Sequence, residues 1–166
     1  ESPPVHLARP TRVEDSILPT YFKEPIDHSE MQIIRKLEDY DNQGQGVFCT
    51  IGMFDGLHLG HQHVIQNTVT EARKAGGVAL GITFDQHPAK VVAPEHAPEM
   101  IYPLSKRKKL LATTDLDVAW VIPFTTQFSQ ITGQRFLEDI CKHFLPLKQI
   151  CVGPDFHFGH KRSGNF

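Results

Sequence analysis

The residues best suited to chemistry form one run, Gly52-Met53-Phe54-Asp55-Gly56-Leu57-His58-Leu59-Gly60-His61. His58 and His61 stand three residues apart, so on the first turn of a helix they share a face. Gly52, Gly56 and Gly60 let the backbone bend tightly and approach a ligand closely. A helix beginning near Gly60 directs unpaired N–H groups and its positive dipole end toward an anion. Imidazoles at that point can donate to phosphate oxygens without the fixed charge of lysine. The run lacks the GK[ST] of a Walker A loop and is not a GxGxxG dinucleotide fingerprint. Zinc would require a third ligand, and helical zinc pairs more often use i,i+4 spacing, so no resident metal is expected. The plainer reading is two exposed histidines beside a glycine turn. The strand before the run and the helix after it favour phosphate.

The flanking pattern supplies that setting. Val47–Ile51 is rich in β-formers, and Val64, Ile65, Val69 and Ala72 then recur at helical spacing until Gly76-Gly77. Val78–Phe84 reads as a second strand and Val118–Ile122 as a third, stopped by Pro123. Between them Ser105 is the expected N-cap of a helix through Lys109, Leu110 and Leu111. Phe136, Leu137, Ile140 and Phe144 mark one face of a further helix, and Ile150-Cys151-Val152 a further strand. Residues 31–40 read equally as strand or helix. Residues 1–30, with Pro3, Pro4, Pro10, Pro19 and Pro25, are expected to be an extended arm or linker. Strands alternating with helices predict an α/β fold, a parallel sheet covered on both faces. Ligands of such sheets lie beyond the carboxyl ends of the strands, here residues 52–61, 84–94, 123–132 and 153–164.

Composition narrows the function classes. A chain of 166 residues, 40% hydrophobic and 22% charged, suits a single folded domain. Its net charge of −2 gives no positive field for nucleic acid, and no apolar run reaches the ~20 residues of a membrane span. Cys49, Cys141 and Cys151 lack CxxC spacing, which argues against a disulfide framework and for a reducing compartment. Cys49, Cys151 and Trp120 are expected in the core. The run Lys106-Arg107-Lys108-Lys109 is expected to solvate a helix face, and His63, His96, His143 and His160 to lie at the surface.

Two further segments can be read physically. Phe84, His87 and Pro88 end a strand on the ligand side, where an aromatic face and an imidazole suit a flat heterocycle and its phosphate; core Phe84 and a loop-capping His87 are the alternative. Asp155, Phe156 and Phe158 leave the last strand at the same edge, and Asp155 suits a flavin or ribose group, a magnesium ion, or merely a turn after Pro154.

GMFDGLHLGH resembles the HxGH signature of nucleotidylyltransferases, and its wording is most similar to the prokaryotic-type FAD synthetases. Thr83-Phe84-Asp85-Gln86-His87-Pro88 is similar to that family's TFxPHP, and the VGPDFHFG run beginning at Val152 to its VGxDFxFG, in the same order and spacing. Gln86 stands where proline is usual and His157 where arginine is common. The resemblance covers residues 31–166 and implies a Rossmann-like FMN adenylyltransferase domain, expected to continue beyond this chain toward an SSTxIR-like motif. It implies ATP with Mg2+ and FMN as substrates, FAD as product, and a riboflavin kinase module in the complete protein. His58 and His61 are then the catalytic residues. Gly52, Phe54, Asp55 and Gly60 join them in nucleotide binding, and Phe84, His87, Pro88, Asp155 and Phe158 hold the flavin. The cytoplasm is the expected compartment, with an organelle as the alternative. Two other functions stay open: an HxGH enzyme with another phosphorylated acceptor, and a nucleotide- or flavin-binding module without turnover.

Overall fold

The computed structural model describes residues 30–41, 43–154, 156–160 and 164–165. All but the last residue of the expected proline-rich arm, and Asp155, lie outside the described residues. The strands are β1 (Gln32–Ile34), β2 (Val47–Ile51), β3 (Val78–Phe84), β4 (Val118–Ile122) and β5 (Leu147–Cys151). They form one sheet in the order β1-β4-β3-β2-β5 with every neighbouring pair parallel, so the fold is α/β and Rossmann-like, as expected. Cys49 lies opposite Leu80, and Leu80 opposite Val118, across the middle of the sheet.

Helices occupy both faces because the strand side chains alternate between two cores. Val47, Cys49 and Ile51 of β2, with Leu80 and Ile82 of β3 and Trp120 of β4, face Phe136 and Ile140 of α5 (Gly133–His143) and Phe144, its C-cap. Phe48 and Ala79 face the other way, onto Ile65, Val69 and Ala72 of α1 (Leu59–Lys74) and Leu111 of α3 (Leu104–Leu111). β2, β3 and β4 are buried along their whole length, which explains their uninterrupted apolar runs. Cys49 and Trp120 are core residues, Cys151 is half-buried and Cys141 exposed. Burial pushes the Cys49 thiol up to about 12, with smaller contributions from Cys141 and Cys151, so it stays protonated.

Several boundaries differ from expectation for identifiable reasons. β5 runs Leu147–Cys151 rather than over residues 150–152, because an edge strand tolerates exposed Lys148 and Gln149. α3 begins one residue before Ser105. Its N-cap is Pro103, whose carbonyl accepts from Lys106 and Arg107, and no side chain caps it. Residues 31–40 divide into β1 and a short 3-10 turn at Leu37–Asp39. Two one-turn helices, α2 (Ala89–Val92) and α4 (Thr126–Ser129), a second 3-10 turn at Pro94–His96, and the antiparallel pair of β6 (His157–Phe158) and β7 (Gly164–Asn165) complete the described elements.

From β2 the chain steps to β3 and β4, then returns by way of α5 to place β5 on the other side of β2. That reversal makes the carboxyl ends of β2 and β5 the switch point where such sheets bind ligands.

Candidate active site

At that switch point opens a cavity of about 1000 Å3. The expected residues Gly52, Phe54, His58, Gly60, His61, Phe84, His87, Pro88 and Phe158 all line it. Asp55 does not, and Asp155 lies outside the described residues.

The loop between β2 and α1 is held in a demanding conformation. Phe54 (φ 49°), Gly56 (φ 76°) and Leu57 (φ 44°) all adopt left-handed backbone, of which only the glycine does so without strain. The reward is the histidine pair. His58 is the N-cap of α1, its Nδ1 accepting from the His61 N–H at 3.4 Å. The His58 and His61 rings therefore stack, with centroids 3.7 Å apart and planes 24° apart. A Cβ on Gly60 would meet His58 Cε1 at 3.2 Å, so a glycine there leaves room for the folded-back ring. Phe54 is fully buried and supports His61 from behind, edge-on at 5.4 Å.

The electrostatics suit an anion. No acidic residue stands in the first turn of α1, so the helix N-terminus faces the cavity uncompensated. Desolvation holds the His61 imidazole down at about 4; His58 lowers it further and Asp55 opposes. His61 is thus neutral near pH 7, and its buried Nδ1 has no hydrogen-bond partner among the described residues. His58, accepting at Nδ1, carries its neutral-form proton on Nε2, a donor left for another group.

The remaining expected residues have mixed assignments. His87 both lines the cavity and accepts at Nδ1 from the Ala89 N–H at 3.1 Å, and burial lowers its pKa, with Asp55 opposing and Lys90 adding to the drop. Phe84 is a buried core residue as well as a lining one, and it meets Phe124 and Phe128 edge-on or tilted, which begins an aromatic wall continued by Phe136, Phe156 and Phe158. Asp55 instead ties the loop to its neighbour, accepting from Ile101 N–H at 2.6 Å and Tyr102 N–H at 3.0 Å.

Two expectations are corrected. His160 is not a plain surface residue: it lines the cavity, its backbone N–H donates to Ile131 O at 2.8 Å, and its Nδ1 sits 3.1 Å from Ser129 O. Arg107 does not solvate a helix face; it is 1% exposed. Its signal was present in the sequence, since Leu104, Arg107 and Leu111 fall at i, i+3 and i+7, the inward stripe of α3. His63, His96 and His143 are exposed as expected.

A Rossmann-like sheet with an HxGH loop at its switch point is the architecture of a nucleotide-handling α/β protein. The FAD synthetase family model matches residues 40–166, and the chain belongs to that family. It is 32% identical over 137 residues to the bifunctional riboflavin kinase/FMN adenylyltransferase of Escherichia coli K12, covering 82% of this chain and 44% of that protein. The Haemophilus influenzae protein of the same description is 33% identical over 136 residues, again 82% of this chain and 44% of that one. The chain thus spans less than half the length of these curated relatives. A crystal structure from Streptococcus pneumoniae, described as a macrolide-efflux protein, superposes with a TM-score of 0.67 at 26% identity, covering 80% of this chain and 43% of that one. Among the described residues here, no helix is long and apolar enough to cross a membrane.

Proposed function

We propose that residues 31–166 form the FMN adenylyltransferase module of a longer protein and transfer AMP from ATP to FMN, yielding FAD and pyrophosphate. The observation that carries this reading is the stacked His58–His61 pair, capping α1 at the mouth of an aromatic-walled cavity. An FMN phosphate oxygen attacks the α-phosphorus of ATP in line, and the bond to the bridging oxygen of the pyrophosphate breaks. The nucleophile is already an anion, so the protein has no serine or cysteine to activate. Its contribution is positioning and stabilisation of charge on the phosphates.

His58 Nε2–H and the His61 ring supply donors to the phosphate chain, and the N-terminus of α1 adds its dipole. The wall built from Phe84, Phe124, Phe128 and Phe158 suits a planar ring system far better than an extended pantetheine arm or a glycerol phosphate. Among the described residues no group of three or more His, Cys, Asp or Glu side chains is placed to hold a metal. Mg2+ would enter as part of the ATP substrate, where it would shield phosphate charge. We further propose the riboflavin kinase module as the covalent partner and the cytoplasm as the compartment.

The test is FAD and pyrophosphate formation from ATP and FMN by the full-length protein, with phosphopantetheine and glycerol phosphate as competing acceptors. FAD formation favoured over the other products supports the reading. Binding of FMN and ATP without turnover, or preference for another acceptor, overturns it.

A further inference from the structure

Arg107 is a large charged side chain buried to 1% exposure, yet no direct ion pair with it occurs among the described residues. Its guanidinium instead grips backbone. Nη1 donates to the carbonyls of Met53 and Phe84, both at 3.0 Å, and Nη2 donates to the carbonyl of Asp85 at 2.8 Å. Met53 belongs to the histidine loop, whereas Phe84 and Asp85 end β3 and lead into His87 and Pro88. One side chain therefore bolts together the two strand ends that carry the cavity's polar groups. Thr83 Oγ1 reinforces the joint by donating to Met53 O at 3.1 Å.

The charge is compensated at a distance by two carboxylates that tie in further loops. Asp55 and Asp85 both favour the charged form of Arg107, partly offsetting the larger desolvation that opposes it. Asp55 holds the N–H groups of Ile101 and Tyr102, and Asp85 Oδ1 accepts from Phe124 N–H at 2.9 Å. For stability alone, an apolar side chain filling this volume is the cheaper solution, because desolvating a guanidinium costs several kcal/mol in general. The cation sits where the histidine loop, held in left-handed backbone, must keep a set distance from β3.

We propose that Arg107 is a positioning residue that fixes the separation between the histidine loop and the His87-bearing end of β3, so that both substrates meet in register. Its side chain does not line the cavity. This rests on the adenylyl-transfer reading for its consequence, although the mechanical part stands on the hydrogen bonds alone.

The experiment compares Arg107→Met, Arg107→Lys and, as a remote control, Arg73→Met in the full-length protein. Melting temperature, kcat and KM for ATP and FMN are measured, along with amide hydrogen exchange over residues 53–57 and 84–88. Arg107→Met is expected to lower kcat/KM at least tenfold for both substrates and to speed exchange in both segments. Arg107→Lys, with three donors and the charge retained, recovers most of the turnover. Arg73→Met lowers the melting temperature while kcat stays near wild type. Should Arg107→Met fail to fold, Arg107→Lys decides, with faster exchange in both segments expected at an unchanged melting temperature. Wild-type kinetics and exchange in the folded Arg107 variants overturn the proposal, as does an equal kinetic loss in Arg73→Met. If the wild-type protein makes no FAD, the functional reading fails separately, and the exchange data still judge the role of Arg107.

Discussion

The two ends of the sheet each contain an arginine and an aspartate bound to backbone, but they are built on opposite terms. At the amino ends of β3 and β4, Asp117 accepts from Ala79 N–H at 2.7 Å and takes both arms of Arg73, at 2.8 and 3.0 Å. Arg73 also donates to Asp115 O at 2.7 Å, fastening the last turns of α1 to the sheet. There the charges pair directly. At the carboxyl ends, Arg107 holds carbonyls rather than carboxylates, its Nε and the His61 Nδ1 are buried without hydrogen-bond partners among the described residues, and the histidine loop is left-handed at Phe54, Gly56 and Leu57. At the first end the charges are paired, and its one left-handed non-glycine residue, Asp115 (φ 58°), is of a type that tolerates that backbone; the other end keeps two such residues of poorer tolerance and unspent hydrogen-bonding capacity beside a cavity. Such unmet demands concentrate where a ligand completes the structure.

The contrast breaks most visibly by removing His61. His61→Ala is expected to reduce adenylyl transfer by ~10²–10³, about 2.7–4 kcal/mol by analogy with the loss of an oxyanion donor. Its melting temperature should stay close to wild type, since the side chain is only half-buried. Steady-state kinetics beside a thermal melt will separate the two effects. Asp117→Ala should do the reverse. Stranding the Arg73 guanidinium and the Ala79 N–H is expected to cost about 3 kcal/mol of stability in a urea titration, with kcat unchanged at a temperature where the variant is folded.

A third prediction concerns pH. The folded His61 imidazole lies at about 4 against an ordinary 6.5, so as pH falls the unfolded chain takes up the proton first. The contribution of this residue to stability is therefore intact above pH 6.5 and is lost between 6.5 and 4. Ring-proton titration by NMR should give the low value directly. His58→Ala should raise it only in part, because desolvation is the larger cause. The mildest change is Gly60→Ala. Its Cβ tilts the His58 ring, so the KM for ATP should rise roughly two- to five-fold, under 1 kcal/mol, with no loss of helix stability.

How legible each region was in the sequence follows the same division. The histidine loop stood out because glycine and imidazole between a buried strand and an amphipathic helix have few structural uses. β2, β3 and β4 were legible because strands buried on both faces are spelled in unbroken apolar residues. β5 was misplaced because an edge strand carries Lys148 and Gln149 outward and loses that signature. Arg107 was hidden by its neighbours: flanked by Lys106, Lys108 and Lys109 it reads as part of a charged face, and only its position on the Leu104–Leu111 stripe betrays its burial. Asp55 was legible as important but not in its role, because the backbone groups it holds come from residues 101 and 102, far along the chain.

In the proposed reaction the cap of α1 delivers both imidazoles to a polyphosphate, and the histidine ring signals of the full-length protein report this as ATP is added. The His58 and His61 resonances are expected to move together and saturate, while those of His63, exposed two residues farther along α1, and of His96 stay in place. Unmoved His58 and His61 signals at saturating ATP, or equal shifts in His63 and His96, would contradict it.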